Sequence, residues 1–383
     1  MKHVTWLTTI VGIAAGLAQG QCSGYVLEPG PGALTGQVSA ITVWDPDGSG
    51  PAPSTLVAMA GNSGGYVKIW DGAAWQPFGP PSAYLVGVTN FNGDLIAGGG
   101  GWSVSRWNGN AWVQFGDNQE YFPGAPRNFA IHQGQLYATC AASFFRLNGA
   151  TWQDLGPSSG EYANAIVSFR GELIGGGYLR LGIPFVEANV VRWVGAPEWW
   201  SPVGSEPFNF VYQLAVHNDR LIAVGDYLVQ QWDGATWEAL GGQVSGREVT
   251  SYNGQLIVAG GIPGAVARWD GVSWQALGGG VGGTFAQVAR MVEWNGDLIL
   301  AGKFTTAGGL PAGNIARYRC IPCYANCDNS LNAPVLNAND FQCFLNKFAA
   351  AESYANCDGS VSPPVLTAND FQCFLNRFAA GCT

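Results

Sequence analysis

The feature that most restricts this chain is a hairpin repeated along most of its length. Its clearest copy is Trp232-Asp233-Gly234-Ala235-Thr236-Trp237, running on into Glu238-Ala239-Leu240-Gly241. An apolar strand ends in Trp232, turns at Asp-Gly and returns through Trp237. Asp-Gly and Asn-Gly suit a tight turn whose two central residues both take positive φ, which Gly reaches without strain. The pattern recurs from Trp70 to Gly79, Trp107 to Gly116, Leu147 to Gly156 and Trp269 to Gly278. A degenerate copy runs from Trp193 to Gly204, and a truncated one stops at Arg317-Tyr318. With 56 Gly and 16 Trp in 383 residues, and 47% of them hydrophobic, the chain suits many short strands and tight turns rather than disorder.

A second hairpin precedes each Trp hairpin. Its copies begin at Asn92-Gly93-Asp94-Leu95, Gln133-Gly134-Gln135-Leu136, Arg170-Gly171-Glu172-Leu173, Asn218-Asp219-Arg220-Leu221, Asn253-Gly254-Gln255-Leu256 and Asn295-Gly296-Asp297-Leu298. The first repeat has a longer version, Asp45-Pro46-Asp47-Gly48-Ser49-Gly50. Each unit therefore holds four strands, a to d. Two columns fix the register. Strand b closes on Gly61, Gly99, Cys140, Gly177, Gly225, Gly260 and Gly302, and the slot before the first turn holds Trp44, Phe91, His132, Phe169, His217, Tyr252 and Trp294. Seven members in each column imply seven units, spaced by roughly 40 residues, the period of propeller blades. From Cys22 to Cys320 the chain resembles the kelch-like class of β-propeller repeats, with a Gly-rich end to strand b, an aromatic in c and a Trp in d. The resemblance implies an all-β, seven-bladed β-propeller over residues 21–320 and says almost nothing about function. The Trp residues are expected to pack blade on blade, because aromatic rings carry much apolar area per residue.

The seventh unit lacks strand d. Laying Leu277-Gly278-Gly279-Gly280-Val281-Gly282 over Leu27-Glu28-Pro29-Gly30-Pro31-Gly32 also brings Gln287-Val288 onto Gln37-Val38 and Trp294 onto Trp44. The segment around Gly24 to Gly30 is therefore expected to supply the missing strand. An N-terminal strand that closes the ring leaves no free edge to pair with another chain. In this register Cys320 falls on the Gly271 slot and Cys22 on the Val272 slot, close enough for a Cys22–Cys320 disulfide that locks the ring. Cys140 takes a Gly slot in strand b and is expected to be a free, buried, inert thiol.

Net charge and cysteine placement bound the setting. A net charge of −9 argues against nucleic acid and anionic membrane surfaces, which call for a basic patch, and keeps a secreted protein soluble. Seven of the nine Cys lie between Cys320 and Cys382, a density that implies disulfides in an oxidising compartment. Met1-Lys2-His3, the apolar run Val4 to Ala18 and the small residues around Gly20 read as a signal peptide over residues 1–20. No other stretch is long and apolar enough to be inserted in a bilayer. The expected product is a secreted or cell-surface monomer.

After Cys320 the composition changes and a unit of about 30 residues appears twice. The first copy runs Tyr324-Ala325-Asn326-Cys327-Asp328-Asn329-Ser330 and then Pro334 to Phe348; the second runs Tyr354-Ala355-Asn356-Cys357-Asp358-Gly359-Ser360 and then Pro364 to Phe378. Phe341, Phe344, Leu345 and Phe348 fall at helical spacing, as do their counterparts. Oxygen-bearing side chains at alternating positions, followed by a carboxylate opening a helix, suit a hard cation such as Ca²⁺. The candidate ligands are Asn326, Asp328, Ser330, Asn337 and Asp340, repeated as Asn356, Asp358, Ser360, Thr367 and Asp370. Asn337 or Asp340 could equally cap the helix. The pair of units resembles the dockerin module, in the Cys-containing variant that ends in Gly-Cys, here Gly381-Cys382. The resemblance covers Tyr324 to Cys382 and implies a small α-helical, EF-hand-like domain over residues 321–383 that binds Ca²⁺ and docks to a cohesin-like or cell-surface anchoring partner. Each loop is about three residues longer than an EF-hand loop and has only two carboxylates, which implies weaker Ca²⁺ affinity, suited to an extracellular module. Cys327 and Cys357 sit beside the loops and Cys343 and Cys373 on the helices, so the expected bridges are Cys327–Cys343, Cys357–Cys373 and Cys323–Cys382.

No catalytic constellation stands out. Triads and transition-metal sites usually use His, and of the three His, His3 lies in the leader while His132 and His217 occupy an aromatic column where packing explains them. Paired carboxylates could come from Glu120, Glu161, Glu187, Glu206 or Glu293. Two functions stay open: a secreted binding or scaffold protein whose propeller loops hold a carbohydrate or protein ligand, and a secreted polysaccharide-active enzyme, a glycosidase or lyase, with carboxylates facing the central funnel.

Overall fold

The computed structural model describes residues 22–48, 50–61, 66–79, 85–99, 103–117, 122–141, 143–156, 162–182, 186–195, 199–205, 210–328, 330 and 336–382. The expected signal peptide lies outside them, as do Glu120, Glu161 and Glu206. The chain forms two compact units, one holding Val26–Trp294 and Leu298–Tyr318, the other Arg319–Thr383 with Asn295–Asp297 and a stretch ending at Tyr25.

Among the described residues, the chain makes seven four-stranded antiparallel sheets. Six are built from strands in chain order within residues 38–77, 85–114, 128–154, 162–202, 211–239 and 245–276, the fourth interrupted by a separate hairpin of Arg180–Leu181 with Val186–Glu187. The seventh joins Gln287–Trp294, Asp297–Lys303 and Ile315–Pro322 to Cys22–Pro29 at its outer edge. Strand a of each sheet packs on strand a of the next, and Gln287–Trp294 packs on Val38–Trp44. Strand b lies in the middle of its sheet with both faces covered. Leu56 to Ala60 and Leu221 to Gly225 are therefore buried without a break, which is why these strands read as continuous apolar runs and not as alternating ones. The cores lie between neighbouring sheets, as where Tyr137 and Phe144 of the third meet Ile166, Leu173 and Trp200 of the fourth.

The strand-d Trp is the wedge between sheets. Trp237 donates its indole N–H to the Val203 carbonyl of the preceding sheet at 2.8 Å, and Trp152, Trp200 and Trp274 do the same to Phe115, Leu155 and Leu240. Fully burying a Trp removes on the order of 200 Å² of apolar surface, about 5 kcal/mol by area. The residue after each accepting carbonyl is a Gly at positive φ. At Gly204 (φ 69°) an added Cβ would stand 2.4 Å from the Trp232 ring. At the sheet rim the pre-turn column makes a second set of ties. Trp44 donates to the Gly93 carbonyl, His132 and His217 bond Ser168 and Ser251, and Trp294 reaches the Ser54 carbonyl at 3.1 Å. Burial lowers the pKa of both imidazoles, which favours their neutral form.

Two details differ from the sequence reading. The a–b turns are the ones in which both central residues take positive φ, as at Asn92-Gly93 (53° and 85°) and Asn253-Gly254 (46° and 70°). The Trp hairpins of the first, second, fifth and sixth sheets instead close over four residues, as where Trp70 pairs with Trp75 and only Gly72 has positive φ; the third closes over two, with Asn148 paired to Thr151. Their Asp works through its carboxylate, Asp71 Oδ1 accepting the N–H groups of Ala73 and Ala74 at 2.8 and 2.7 Å. The N-terminal strand is the expected one, but its register differs. Gly30 donates to the Ile315 carbonyl as Leu240 does to Val229, which puts Leu27, not Gly24, in the Trp slot. Leu27 is buried against Gly278, and Trp75 donates to the Pro31 carbonyl at 2.7 Å. Matching the Gly-rich text had aligned Leu27 with Leu277. Burial places the large apolar side chain in the slot that a Trp fills elsewhere.

The second unit is a pair of loop–helix repeats, with helix α1 at Ala338–Ala349 and α2 at Ala368–Ala380. Tyr324 and Tyr354 stack at 4.7 Å, each hydroxyl donating to the other's carbonyl, and Phe344 stacks on Phe374 at 4.2 Å. All four expected disulfides are present, Cys22–Cys320, Cys323–Cys382, Cys327–Cys343 and Cys357–Cys373. Cys140 is free and buried, its thiol pushed up to about 12 by burial.

Replacing Gly204 by Ala should destabilise the propeller by about 1–3 kcal/mol through overpacking and φ strain. Gly271→Ala, also at positive φ (99°) but with open space around it, should cost less; denaturant midpoints compare the two. The turn carboxylates give a pH test. Backbone N–H groups of Ala74, Thr236 and Ser273 hold Asp71, Asp233 and Asp270 below the usual carboxylate range. Their contribution is therefore present above the ordinary Asp pKa of about 3.9 and lost as pH falls through the lowered values. The N–H shifts of Ala73–Ala74, Ala235–Thr236 and Val272–Ser273 should move on acid titration. Those of Asn110 and Ala111, held by the non-titrating Asn108, should not.

Candidate functional site

In the second unit each expected ligand occupies a loop or a helix start. Asn337 and Thr367 are the N-caps, accepting the N–H of Asn339 and Asn369, and Asp340 and Asp370 complete capping boxes by accepting the N–H of Asn337 and Thr367 at 2.9 and 2.7 Å. The capping role is thus real, and it uses the side-chain oxygens of Asn337 and Thr367. Asp340 and Asp370 go further. Fully buried, each turns its other oxygen to the loop and accepts the N–H of Asp328 or Asp358 at 3.2 or 3.1 Å. A capping residue that also holds the loop brings a buried carboxylate to the oxygen-rich turn.

The two loops are not identical. In the first, Asn326 is closed on Ser330 by bonds in both directions. In the second, Asn356 donates to the Ser360 carbonyl while its Oδ1 is buried without a partner. Asp328 and Ser360 are tied into the turns through Ser330 N–H and Asp358 Oδ1. Burial, with the Asp328 carboxylate beside it, raises the Asp340 pKa. Burial also pushes Asp370 up, but the N–H groups of Thr367 and Asp358 outweigh it and leave its pKa lowered. Among the described residues no three of His, Cys, Asp and Glu converge. With two carboxylates per loop, amide and hydroxyl oxygens must make up the rest of any cation shell. Such an all-oxygen set fits a hard divalent ion, and the orphaned Asn356 Oδ1 is the atom that lacks a partner without one.

The propeller carries two further groupings that the sequence reading missed. One lies on inner strands. Glu248, 5% exposed, accepts from Arg290 at 3.3 Å, from Gln213 at 3.4 Å and from the Met291 N–H. Arg290 also donates to Asn128 at 2.7 Å, joining the seventh sheet to the third. Burial raises the Glu248 pKa and the Arg290 charge opposes it. The other is a run of rings at the end where strands a begin and strands b end. Tyr162, Phe210 and Tyr212 follow one another at 5.6 and 4.7 Å, and the Arg247 guanidinium lies over Tyr212 at 4.7 Å. Of the carboxylates considered from sequence, Glu187 accepts from Tyr178 at this end, while Glu293 is exposed on strand a of the seventh sheet. A cavity of about 150 Å³ opens between the fourth and fifth sheets at the opposite end. Its two arginines are already paired, Arg170 with Asp219 and Arg192 with Glu172.

Neither a protein-family model nor a curated protein matches the sequence. Solved structures do match in shape. The extracellular domain of the hybrid two component system BT4673 from B. thetaiotaomicron superposes with a TM-score of 0.55 at 13% identity, over 76% of this chain and 39% of that one. The WD40 β-propeller domain of Doa1 gives 0.53 at 14%, over 83% and 99%. PorZ, a surface component of the type-IX secretion system of Porphyromonas gingivalis, gives 0.50 at 14%, over 69% and 45%. The chain spans about two fifths of the BT4673 domain's length. At these identities the likeness defines the fold, a β-propeller.

Arg290→Leu should cost about 3 kcal/mol or more by leaving the buried Glu248 unpaired, and less in mildly acidic than in neutral buffer. A carboxyl with a raised pKa favours folding in its protonated form, so stability returns as pH falls through that pKa. Glu248→Gln added to Arg290→Leu should recover stability at neutral pH; urea unfolding at both pH values checks this.

Proposed function

We propose that this chain is a secreted binding protein. In this reading a seven-bladed propeller closed by its own N-terminal strand presents a ligand, and a dockerin-like, Ca²⁺-binding module attaches it to a cohesin-like or cell-surface partner. The seven sheets, the N-terminal strand at the edge of the last one and the Trp294–Ser54 bond between last and first support the closed ring. Four disulfides fit an oxidising compartment. The observation that carries the calcium module is the repeated geometry of Asp340 and Asp370, each fully buried and bonded at once to its helix start and to the N–H of the loop carboxylate residue.

Asp328, Asp340, Asp358 and Asp370, with Asn326 and Asn356, would hold the ions. Bound Ca²⁺ would neutralise each carboxylate pair and fix loop to helix. Asp340 and Asp370 orient the loops through their backbone bonds whether or not an ion is present, so the sites are partly preformed.

Calorimetry on the full chain should register two Ca²⁺ per molecule, falling to one in Asp358→Asn/Asp370→Asn. At a hundredfold excess over Kd, Ca²⁺ should stabilise the C-terminal unit by about 2.7 kcal/mol. The immobilised protein should retain a secreted or surface partner in Ca²⁺ and release it on chelation. No heat and no stabilisation would overturn the calcium reading, and capture indifferent to chelator would overturn the docking reading.

A further inference from the structure

We propose that the aromatic run at the end of the fourth, fifth and sixth sheets is a binding site for a neutral polysaccharide chain. This deepens the reading of the propeller as the ligand-presenting part and does not depend on calcium. The first observation is a set of bulges. The inner strands of these three sheets lose register at the same level, between Ala163 and Ala165, Val211 and Gln213, and Gly246 and Glu248. A bulge takes one residue out of the ladder and re-aims its side chain; here the residues are Asn164, Tyr212 and Arg247. The first and second sheets have the same bulge, where it holds Ser39 and Val86; among these five bulged residues Tyr212 and Arg247 supply the ring and the charge, while Asn164 donates its amide to the Val211 carbonyl at 3.1 Å.

The second observation is continuity. Tyr162, Phe210, Tyr212 and Arg247 form one contact chain across three sheets, and Tyr162 pairs across the strands with Tyr178, over which Arg180 lies at 5.3 Å. Tyr162 is 52% exposed and nearby Tyr227 67%. Rings kept in contact with water at this density mark an interaction surface.

The third observation is charge. Arg180 faces Glu187 at 3.9 Å, and Arg247 lies on the ring of Tyr212, whose hydroxyl donates to Asp226 at 3.0 Å. Arg180 thus has a carboxylate within reach, and Arg247 shares the ring of Tyr212 with Asp226, so the surface offers ring faces beside donors and acceptors of both charges. An acidic glycan would need uncompensated cations, as phosphate backbones do, and an apolar peptide would need pockets for its side chains. A neutral polyhydroxylated chain needs apolar faces for its C–H groups and hydrogen bonds of both senses for its hydroxyls. The run extends from sheet to sheet, which fits a linear chain.

Affinity electrophoresis of the full chain tests this, with xylan, mannan and mixed-linkage β-glucan as neutral probes, polygalacturonate as the acidic one and an immobilised peptide library beside them. At least one neutral polysaccharide should retard the protein, equally with and without chelator. Tyr162→Ala and Phe210→Ala should each weaken that binding by about two- to tenfold, as expected for one lost ring contact. Tyr162→Trp should retain it, and Val272→Ser, an exposed position at the other end of the propeller, should leave it unchanged; unaltered thermal midpoints show that the variants fold. Four results would overturn the proposal: no retardation by any neutral probe, preference for the acidic polysaccharide or a peptide, wild-type binding by both Ala variants, or loss of binding on chelation. Only the last would move the site to the calcium module, so failure here and failure of the calcium reading are distinguishable.

Discussion

The propeller depends on an indole that does two jobs at once. Its ring fills the gap between sheets, and its N–H satisfies a backbone carbonyl of the preceding sheet that would otherwise be buried unpaired. The geometry works only if the next residue on that sheet has no side chain, because a Cβ would run into a Trp ring of the next sheet, Trp232 at Gly204 and Trp152 at Gly116. The wedge therefore links successive sheets through Trp152, Trp200, Trp237 and Trp274, while the indole N–H of Trp112 in the second sheet is buried without a partner. At the first sheet the acceptor is Pro31, just beyond the N-terminal strand. The contact that joins internal sheets thus also joins the first sheet to the chain's beginning. At the other rim Trp294 reaches back to Ser54 across a separation of 240 residues.

How much of this could be read in the sequence follows from what a repeat exposes. A residue type that the same contact demands six or seven times becomes a column, which is why strand b, the pre-turn aromatics and the strand-d Trp were legible. The turn types were harder. Asp-Gly marks both a two-residue turn with two positive φ values and a four-residue turn capped by the Asp carboxylate, and only the pairing of Trp70 with Trp75 separates them. The N-terminal strand misled for a different reason. Its Gly-rich text matched Leu277 onward, while its one strongly buried side chain in that stretch, Leu27, belonged in the Trp slot. The tandem loops were legible because a duplicated donor pattern is improbable without a shared role. Glu248 and the aromatic run were not, because each residue occurs once and gains meaning only from bulges that no column records.

The C-terminal unit solves a problem of size by symmetry. One loop and one helix cannot enclose a core. Two copies placed face to face bury Phe344 against Phe374 and stack Tyr324 on Tyr354, each tyrosine hydroxyl satisfied by the other copy's backbone. Disulfides at equivalent positions tie each loop to its helix, as small domains need. Duplication then relaxes the demand for identity. The core positions match between copies, but the loops differ at Asn326 and Asn356, one closed on itself and the other with a buried oxygen to spare.

The same contrast between kept and altered positions runs through the propeller. Where the wedge and strand b operate, the sheets can hardly differ without losing a contact, so those positions carry no information about a ligand. The inner network uses what room remains at the level of Glu248. Arg290 reaches Asn128 on a sheet that is not its neighbour, so the middle is occupied by the protein's own ion pair and amides. At the sheet ends the inner strands bulge. A bulged residue leaves the ladder without disturbing the buried face, so it is free to vary. Ser39, Val86 and Asn164 stand at bulges equivalent to those of Tyr212 and Arg247, and the ring and the charge at the last two are where this propeller departs from its own repeat.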